Sequence, residues 1–239
     1  MTHATPPLLV SLHIPKTGGS TLLHVLIEKF GDRLQRAYRP PREGLPRSES
    51  DGWPDIDSPL CIHGHAVMDR FAALIAGHPD VHWMTFLREP FSSAVSFYYY
   101  RKTYTPWAGD GPGFEDRGLE EFVLKQYNHN RFTSRLGRAG WTLESLDFVG
   151  LTERFDESML MMYRTFGWEW IGYEAANRGK YSRDEIDPAV RQEFESLNQR
   201  DYQLYRAAEA RLERSIEMAG GEFQRDLGRF RELLSPTSG

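Results

Sequence analysis

Cysteine is almost absent: Cys61 is the single one in 239 residues, so no intramolecular disulfide can form and the fold needs no oxidising compartment. A basic excess is missing too. The 29 Lys and Arg stand against 34 Asp and Glu, a formal charge of −5, which argues against general nucleic-acid binding, since phosphate-tracking surfaces make a chain basic. Any anionic ligand then needs a local basic pocket. Long apolar runs are also lacking. The opening stretch MTHATPPLLVSLHI has no positively charged lead and too short an apolar run for a secretion signal or a membrane span, so we expect a soluble, cytoplasmic protein without a transmembrane segment. What is present, 40% apolar and 13% aromatic residues with no repeat and no clear linker, suffices for one packed core, and we expect a single domain over residues 1–239.

The periodicity predicts alternating strands and helices. Leu8 to Ile14 reads as a buried strand interrupted by Pro15 to Gly19, and a helix follows, with Ser20 or Thr21 as its cap, an apolar repeat from Leu22 to Phe30, and Gly31 at its end. Gln35 to Pro59, with five prolines and two glycines, reads as a long surface loop. Leu60 to His63 is a brief strand, Val67 to Ala76 a helix, and Val81 to Leu87 a long buried strand; after Pro90, Phe91 to Arg101 is helical. Turn chemistry returns from Thr103 to Phe114. Leu119 to Tyr127 is a helix, Asp147 to Leu151 a strand, and Arg154 to Phe166 a helix that buries Phe155, Met159, Leu160, Met162 and Tyr163. From Pro188 onward the pattern is helical and charged, with breaks near Asn198 and at Gly220 and Gly221. Such alternation implies an α/β fold, a mostly parallel sheet flanked by helices with a helical C-terminal region, and ligands at the carboxyl ends of the strands. Three strands end there in chemistry-bearing residues: Pro15-Lys16, His63-Gly64-His65 and Arg88.

The most informative of these ends is PKTGGST. Two glycines, Gly18 and Gly19, allow close approach of backbone N–H groups to an anion, Ser20 and Thr21 offer hydroxyls, and the helix dipole adds attraction. The ATP-binding loop reads GxxxxGK[ST], with lysine after the glycines and a hydroxyl on magnesium. Here Lys16 comes before them, and the strand Val81 to Leu87 ends in Arg88 where an aspartate would help hold magnesium. A metal-free loop for one phosphate fits better.

HIPKTGGST resembles the 5′-phosphosulfate loop of sulfotransferases that use 3′-phosphoadenosine 5′-phosphosulfate (PAPS), especially the Golgi glycan sulfotransferases and their bacterial relatives. The resemblance implies a P-loop-like fold, PAPS as co-substrate held by Thr17, Gly18, Gly19, Ser20 and Thr21, and Lys16 at the oxygen bridging phosphate and sulfate. TFLREPFSSAVSFYYYRK is similar to that family's 3′-phosphate motif, a strand-end arginine followed eight residues on by a serine, which are Arg88 and Ser96 here. A forked guanidinium and a short hydroxyl suit a terminal phosphate monoester. CIHGHAVMDRF resembles the HGH element of the glycan 2-O-sulfotransferases, which implies a histidine general base; we expect His65 in that role, with His63 as its supporter or as a contact to the acceptor. An unperturbed imidazole titrates near pH ~6.5, so it can accept a proton from a hydroxyl at cellular pH. No third or fourth ligand at metal-site spacing accompanies this pair. NRFTSRLGRAG resembles the family's NxQTRxLxG segment, with Phe132 in place of glutamine and the arginine displaced to Arg135, which implies a place for Arg135 near the nucleotide. FVGLTERFDESM and LNQRDYQLY resemble two further stretches, read as fold signatures.

The acceptor implied is a hydroxyl, on a glycan or glycolipid by analogy. Tyr98, Tyr99, Tyr100, Tyr104 and Trp107 form either a sugar-stacking surface or core contacts; Arg33, Arg36, Arg39, Arg42 and Arg47 form either a lure for an acidic chain or a solvated face with Asp32, Glu43 and Glu49. The competing readings are a small-molecule kinase built on a P-loop and a catalytically silent nucleotide-binding module.

Overall fold

The structure, a computed structural model, describes residues 5–38, 56, 58–104, 117–174 and 186–234. Among the described residues five strands form one parallel sheet: β1 (Leu8–Leu12), β2 (Leu34–Arg36), β3 (Cys61–Gly64), β4 (Val81–Leu87) and β5 (Phe148–Leu151), in the order β2-β3-β1-β4-β5. Parallel neighbours require crossovers, and among the described residues helices lie between β1 and β2, between β3 and β4 and between β4 and β5. They are α1 (Gly19–Phe30), α2 (Val67–Gly77), α3 (Pro90–Tyr104), α4 (Leu119–Leu124), α5 (Arg131–Arg138), α6 (Phe155–Phe166), α7 (Pro188–Leu197) and α8 (Gln199–Leu234). The chain is therefore α/β, a parallel sheet flanked by helices, with a helical C-terminal region.

From β1 the chain goes first to the edge strand β2, then inserts β3 between β2 and β1, and finally crosses to lay β4 and β5 on the other side. The order reverses at β1, and a crevice at the carboxyl ends of β1 and β4 is where such sheets take ligands. Registers of Ser11 with His63 and Met84, and of Leu12 with Gly64 and Thr85, bring the ends of β1, β3 and β4 side by side. β1, β3 and β5 are buried along their whole length, as continuous apolar runs require. A second cluster, separate from the core around the sheet, packs Phe91, Ala94, Val95 and Tyr98 of α3 against Phe122, Val123 and Phe194. It leaves the opposite face of α3 to the strand ends.

Several expectations change in detail. The first part of the loop foreseen from Gln35 is strand β2, an edge strand on β3, and Gln35 itself accepts the N–H of Ile56 at 2.7 Å. Residues 39–55, with Arg39, Arg42, Arg47, Glu43 and Glu49, lie outside the described residues, as do Trp107, the turn from residue 105 to Phe114 and the Tyr104 side chain. Neither Ser20 nor Thr21 caps α1. The N-cap is Gly18, in the left-handed region with φ 86°, and no side chain closes the helix start. Gly31 ends α1, its N–H on the Ile27 carbonyl. α4 stops at Leu124 and passes into a single 3₁₀ turn over Gln126–Asn128, so the helix foreseen to Tyr127 is shorter. Phe155 is only half-buried, whereas Met159, Leu160, Met162 and Tyr163 are fully buried as foreseen. The breaks fall at Asn198, which separates α7 from α8, and at Gly220, whose φ of 64° kinks α8.

Candidate active site

The loop after β1 is held in an uncommon shape. Lys16 has φ 70°, a left-handed conformation that costs a residue with a Cβ on the order of 1 kcal/mol. Thr17 is buried and its Oγ1 donates to the Ile14 carbonyl at 2.8 Å, so the side chain closes the turn. Both glycines are packed tightly. A Cβ at Gly18 would meet the Phe155 ring at 2.8 Å, and one at Gly19 would fall inside the His13 ring. These glycines thus serve close packing as well as the turn. At the start of α1, Gly19 and Ser20 present N–H groups that no intrahelical carbonyl can reach, at the positive end of the helix dipole. Thr21 is buried and Ser20 exposed.

The Lys16 ammonium lies 4.4 Å from the centroid of the Tyr100 ring on α3. Burial, and then the nearby Arg88 guanidinium, lower the Lys16 pKa to about 8. Arg88 leaves β4 beside this loop, and its Nη1 donates to the Lys16 carbonyl at 3.2 Å. Ser96 is buried on α3 four residues before Tyr100, so both share the helix face that meets Lys16. Ser93, a further turn back on that face, is also buried, and among the described residues its Oγ has no hydrogen-bond partner. The Glu89 carboxylate caps α3, accepting the N–H groups of Phe91 and Ser92 at 3.4 and 2.7 Å. The tyrosine run divides accordingly. Tyr98 is core, edge-on to Phe122, while Tyr100 faces the lysine.

Three imidazoles meet at the ends of β1 and β3. His13 stacks on His65 at 4.4 Å and on His63 at 5.3 Å, and its Nδ1 lies 3.1 Å from the Tyr38 hydroxyl. His63 is completely buried, with Nδ1 2.9 Å from the Ser11 hydroxyl and, among the described residues, no hydrogen-bond partner for Nε2. Burial, then His65 and Arg36, depress its pKa to about 3. His13 is likewise held well below the usual histidine range, by burial first and then by His65, His63, Arg135 and Lys16. His65 is half-buried, and its Nδ1 is 2.5 Å from the His13 carbonyl. A carbonyl only accepts, so this nitrogen carries the proton, and in the neutral ring Nε2 keeps its lone pair. Gly64 between the two histidines is also constrained, because a Cβ there would collide with the Ala37 carbonyl. Among the described residues no three His, Cys, Asp or Glu side chains converge as a metal cage requires.

Arg135 is grouped with the histidines. With His65, Leu12, Met68, Asp69 and Arg138 it lines an open cleft, and it is close enough to disfavour protonation of His13. Its helix is anchored from far along the chain. The Asp201 carboxylate accepts the N–H groups of Phe132 and Thr133, each at 2.9 Å, and the Thr133 hydroxyl at 2.7 Å. Asn130, at φ 48°, exchanges hydrogen bonds with Leu197, Asn198, Arg200 and Asp201. The two stretches NRFTSR and LNQRDY are therefore one interlocked unit. Sequence reasoning missed His13, which reads as one more residue of an apolar strand run. Of the basic stretch, Arg33 donates to the Ser58 carbonyl at 2.8 Å, and Arg36 is near enough to His63 to depress its pKa.

No protein-family profile matches the chain, and no curated protein does. Among solved structures, the chain is similar to a sulfotransferase from Alicyclobacillus acidocaldarius at 15% identity and a TM-score of 0.45, over 85% of this chain and 96% of that one. It is also similar to mouse sulfotransferase SULT7A1 complexed with PAP at 16% identity and a TM-score of 0.39, over 84% of this chain and 67% of that one. Among the described residues no helix is long and apolar enough to cross a membrane.

Proposed function

We propose that this chain is a sulfotransferase that moves a sulfuryl group from PAPS to an acceptor hydroxyl. The observation that carries the reading is the place of Lys16. Lys16 comes two residues before Gly18, the N-cap of a helix start without a side-chain cap, its ammonium lies over Tyr100, and Arg88 donates to its carbonyl. The backbone of Thr17 to Thr21 would take the 5′-phosphate, and Arg88 with Ser96 the 3′-phosphate. The buried Ser93 hydroxyl beside Ser96 fits a further polar contact there. Arg135, beside His65, would face the transferred group or the acceptor rather than the adenosine.

His65 is the base in this scheme, with His63 and His13 as its packing. Nε2 accepts the acceptor's hydroxyl proton while the acceptor oxygen bonds to sulfur and the bond from sulfur to the bridging oxygen breaks. Lys16 stabilises the negative charge that this oxygen gains, an electrostatic role suited to a partly buried cation. The products are a sulfate ester and 3′-phosphoadenosine 5′-phosphate (PAP). The acceptor proposed is a carbohydrate hydroxyl, on a glycan or glycolipid. Thermal melting tests the donor directly, since a ligand selective for the native state raises the midpoint. PAP should stabilise the protein without added metal and ATP with magnesium should not. Stabilisation by ATP and magnesium alone would instead mark a kinase. PAP binding without sulfate transfer to any of a panel of glycans, glycolipids and phenols would mark a silent module.

A further inference from the structure

The stretch FVGLTERFDESM carries more than a fold signature. Glu153 follows β5, yet its carboxylate reaches the end of β4: Oε1 accepts the Glu89 N–H at 3.1 Å and stands 3.8 Å from Arg88 Nε. Oε2 accepts the Tyr205 hydroxyl from α8 at 3.0 Å. Arg88 in turn donates through Nη1 to the carbonyl of Lys16, the loop residue with φ 70°. One line of contacts therefore runs from the C-terminal helix, through a carboxylate and a guanidinium, to the strained residue of the loop.

We propose that Glu153, steadied by Tyr205, is a positioning residue that aims the Arg88 guanidinium and through it holds the Lys16 loop in its left-handed shape. This rests on the nucleotide site argued above. Arg88 is only 15% exposed on its side chain, and a long side chain loses rotamer freedom at some cost when fixed. The Glu153 carboxylate stands on the Nε side of the guanidinium while Nη1 donates to the Lys16 carbonyl, so the two contacts fix the plane and direction of the fork. The Glu89 N–H and Tyr205 hydroxyl each bind a different carboxylate oxygen, so Glu153 cannot swing away without breaking one of them. Ready-made orientation of this kind is what a binding constellation needs, because a displacement of about 1 Å can cost on the order of 10²-fold.

The test is a double-mutant cycle read by nucleotide affinity. Glu153→Gln keeps an oxygen for the Glu89 N–H and removes the charge beside Arg88; Tyr205→Phe removes only the hydroxyl. Dissociation constants for PAP and for adenosine 5′-phosphate would be measured for each, alone and combined with Arg88→Ala. Glu153→Gln should weaken PAP about tenfold and narrow its preference over adenosine 5′-phosphate, and the loss should shrink to less than about twofold in the Arg88→Ala background. Tyr205→Phe should act in the same direction by a few-fold, and it decides the matter alone if Glu153→Gln shows no cooperative melt. Wild-type affinity for PAP in both variants, or an equal loss with and without Arg88, would overturn the positioning role while leaving the site intact. A wild-type protein with no preference for the 3′-phosphate would overturn the site itself, and this proposal with it.

Discussion

Lys16 makes the pH dependence of nucleotide binding predictable. With its pKa lowered to about 8, roughly nine-tenths of Lys16 carries its proton at pH 7, half at pH 8 and a tenth at pH 9 in the ligand-free protein. A phosphate dianion beside the ammonium favours the charged form, so binding drives the pKa back up. If only the ammonium form binds well, the dissociation constant for PAP rises about tenfold from pH 7 to pH 9, and binding at pH 8 takes up about half a proton. The sign follows from the cause. Burial and Arg88 push the proton off in the free state, and the ligand's charge pulls it back. Calorimetric titration in two buffers of different ionisation enthalpy reads the uptake directly. Arg88→Ala should move the decline to higher pH, because the second cause of the depressed pKa is gone, and Lys16→Ala should abolish both the decline and the uptake. An affinity flat between pH 7 and pH 9 with no proton exchange would refute the reasoning.

Other outcomes follow from particular contacts. His65→Ala should lower turnover on any accepted hydroxyl about 10²–10⁴-fold while PAP affinity, measured by calorimetry, changes little; a comparable loss of affinity would argue against the base role. Gly19→Ala should cost roughly 1–3 kcal/mol in a denaturant melt and weaken PAP, and adding His13→Ala should restore part of both, because the intruding methyl then has room. Asp201→Ala should cost about 0.5–2 kcal/mol in the same melt by stripping the cap from α5, with Asp201→Asn milder.

Much of the scaffold is legible in the sequence because β1, β3, β5 and the second half of β4 are buried and end in loops with distinctive residues. The order of Lys16 before Gly18 and Gly19 is visible as a string, and so is the spacing of Arg88 and Ser96. β2 is not, since three residues at a sheet edge before a proline-rich stretch carry no periodicity. The bare start of α1 was misread because serine and threonine are good caps by composition, whereas here Gly18 takes a backbone shape they would adopt at a cost. His13 looks like part of a strand until the fold stacks it between His63 and His65. Glu153 and Asp201 show the same limit at longer range: each acts on a partner more than sixty positions away along the chain, Glu153 on Arg88 and Asp201 on Phe132. Those pairings exist only once β4 lies beside β5 and α5 meets α8.

The central claim, an ammonium placed at the leaving oxygen of an activated sulfate, is tested most directly by a crystal structure with PAP. The 5′-phosphate is expected on the backbone of residues 17–21, with the Lys16 Nζ on one of its terminal oxygens and His65 Nε2 facing the same side, and the 3′-phosphate on Arg88 and Ser96. Phosphates bound away from that loop, or a Lys16 side chain turned off the 5′-phosphate, would contradict it.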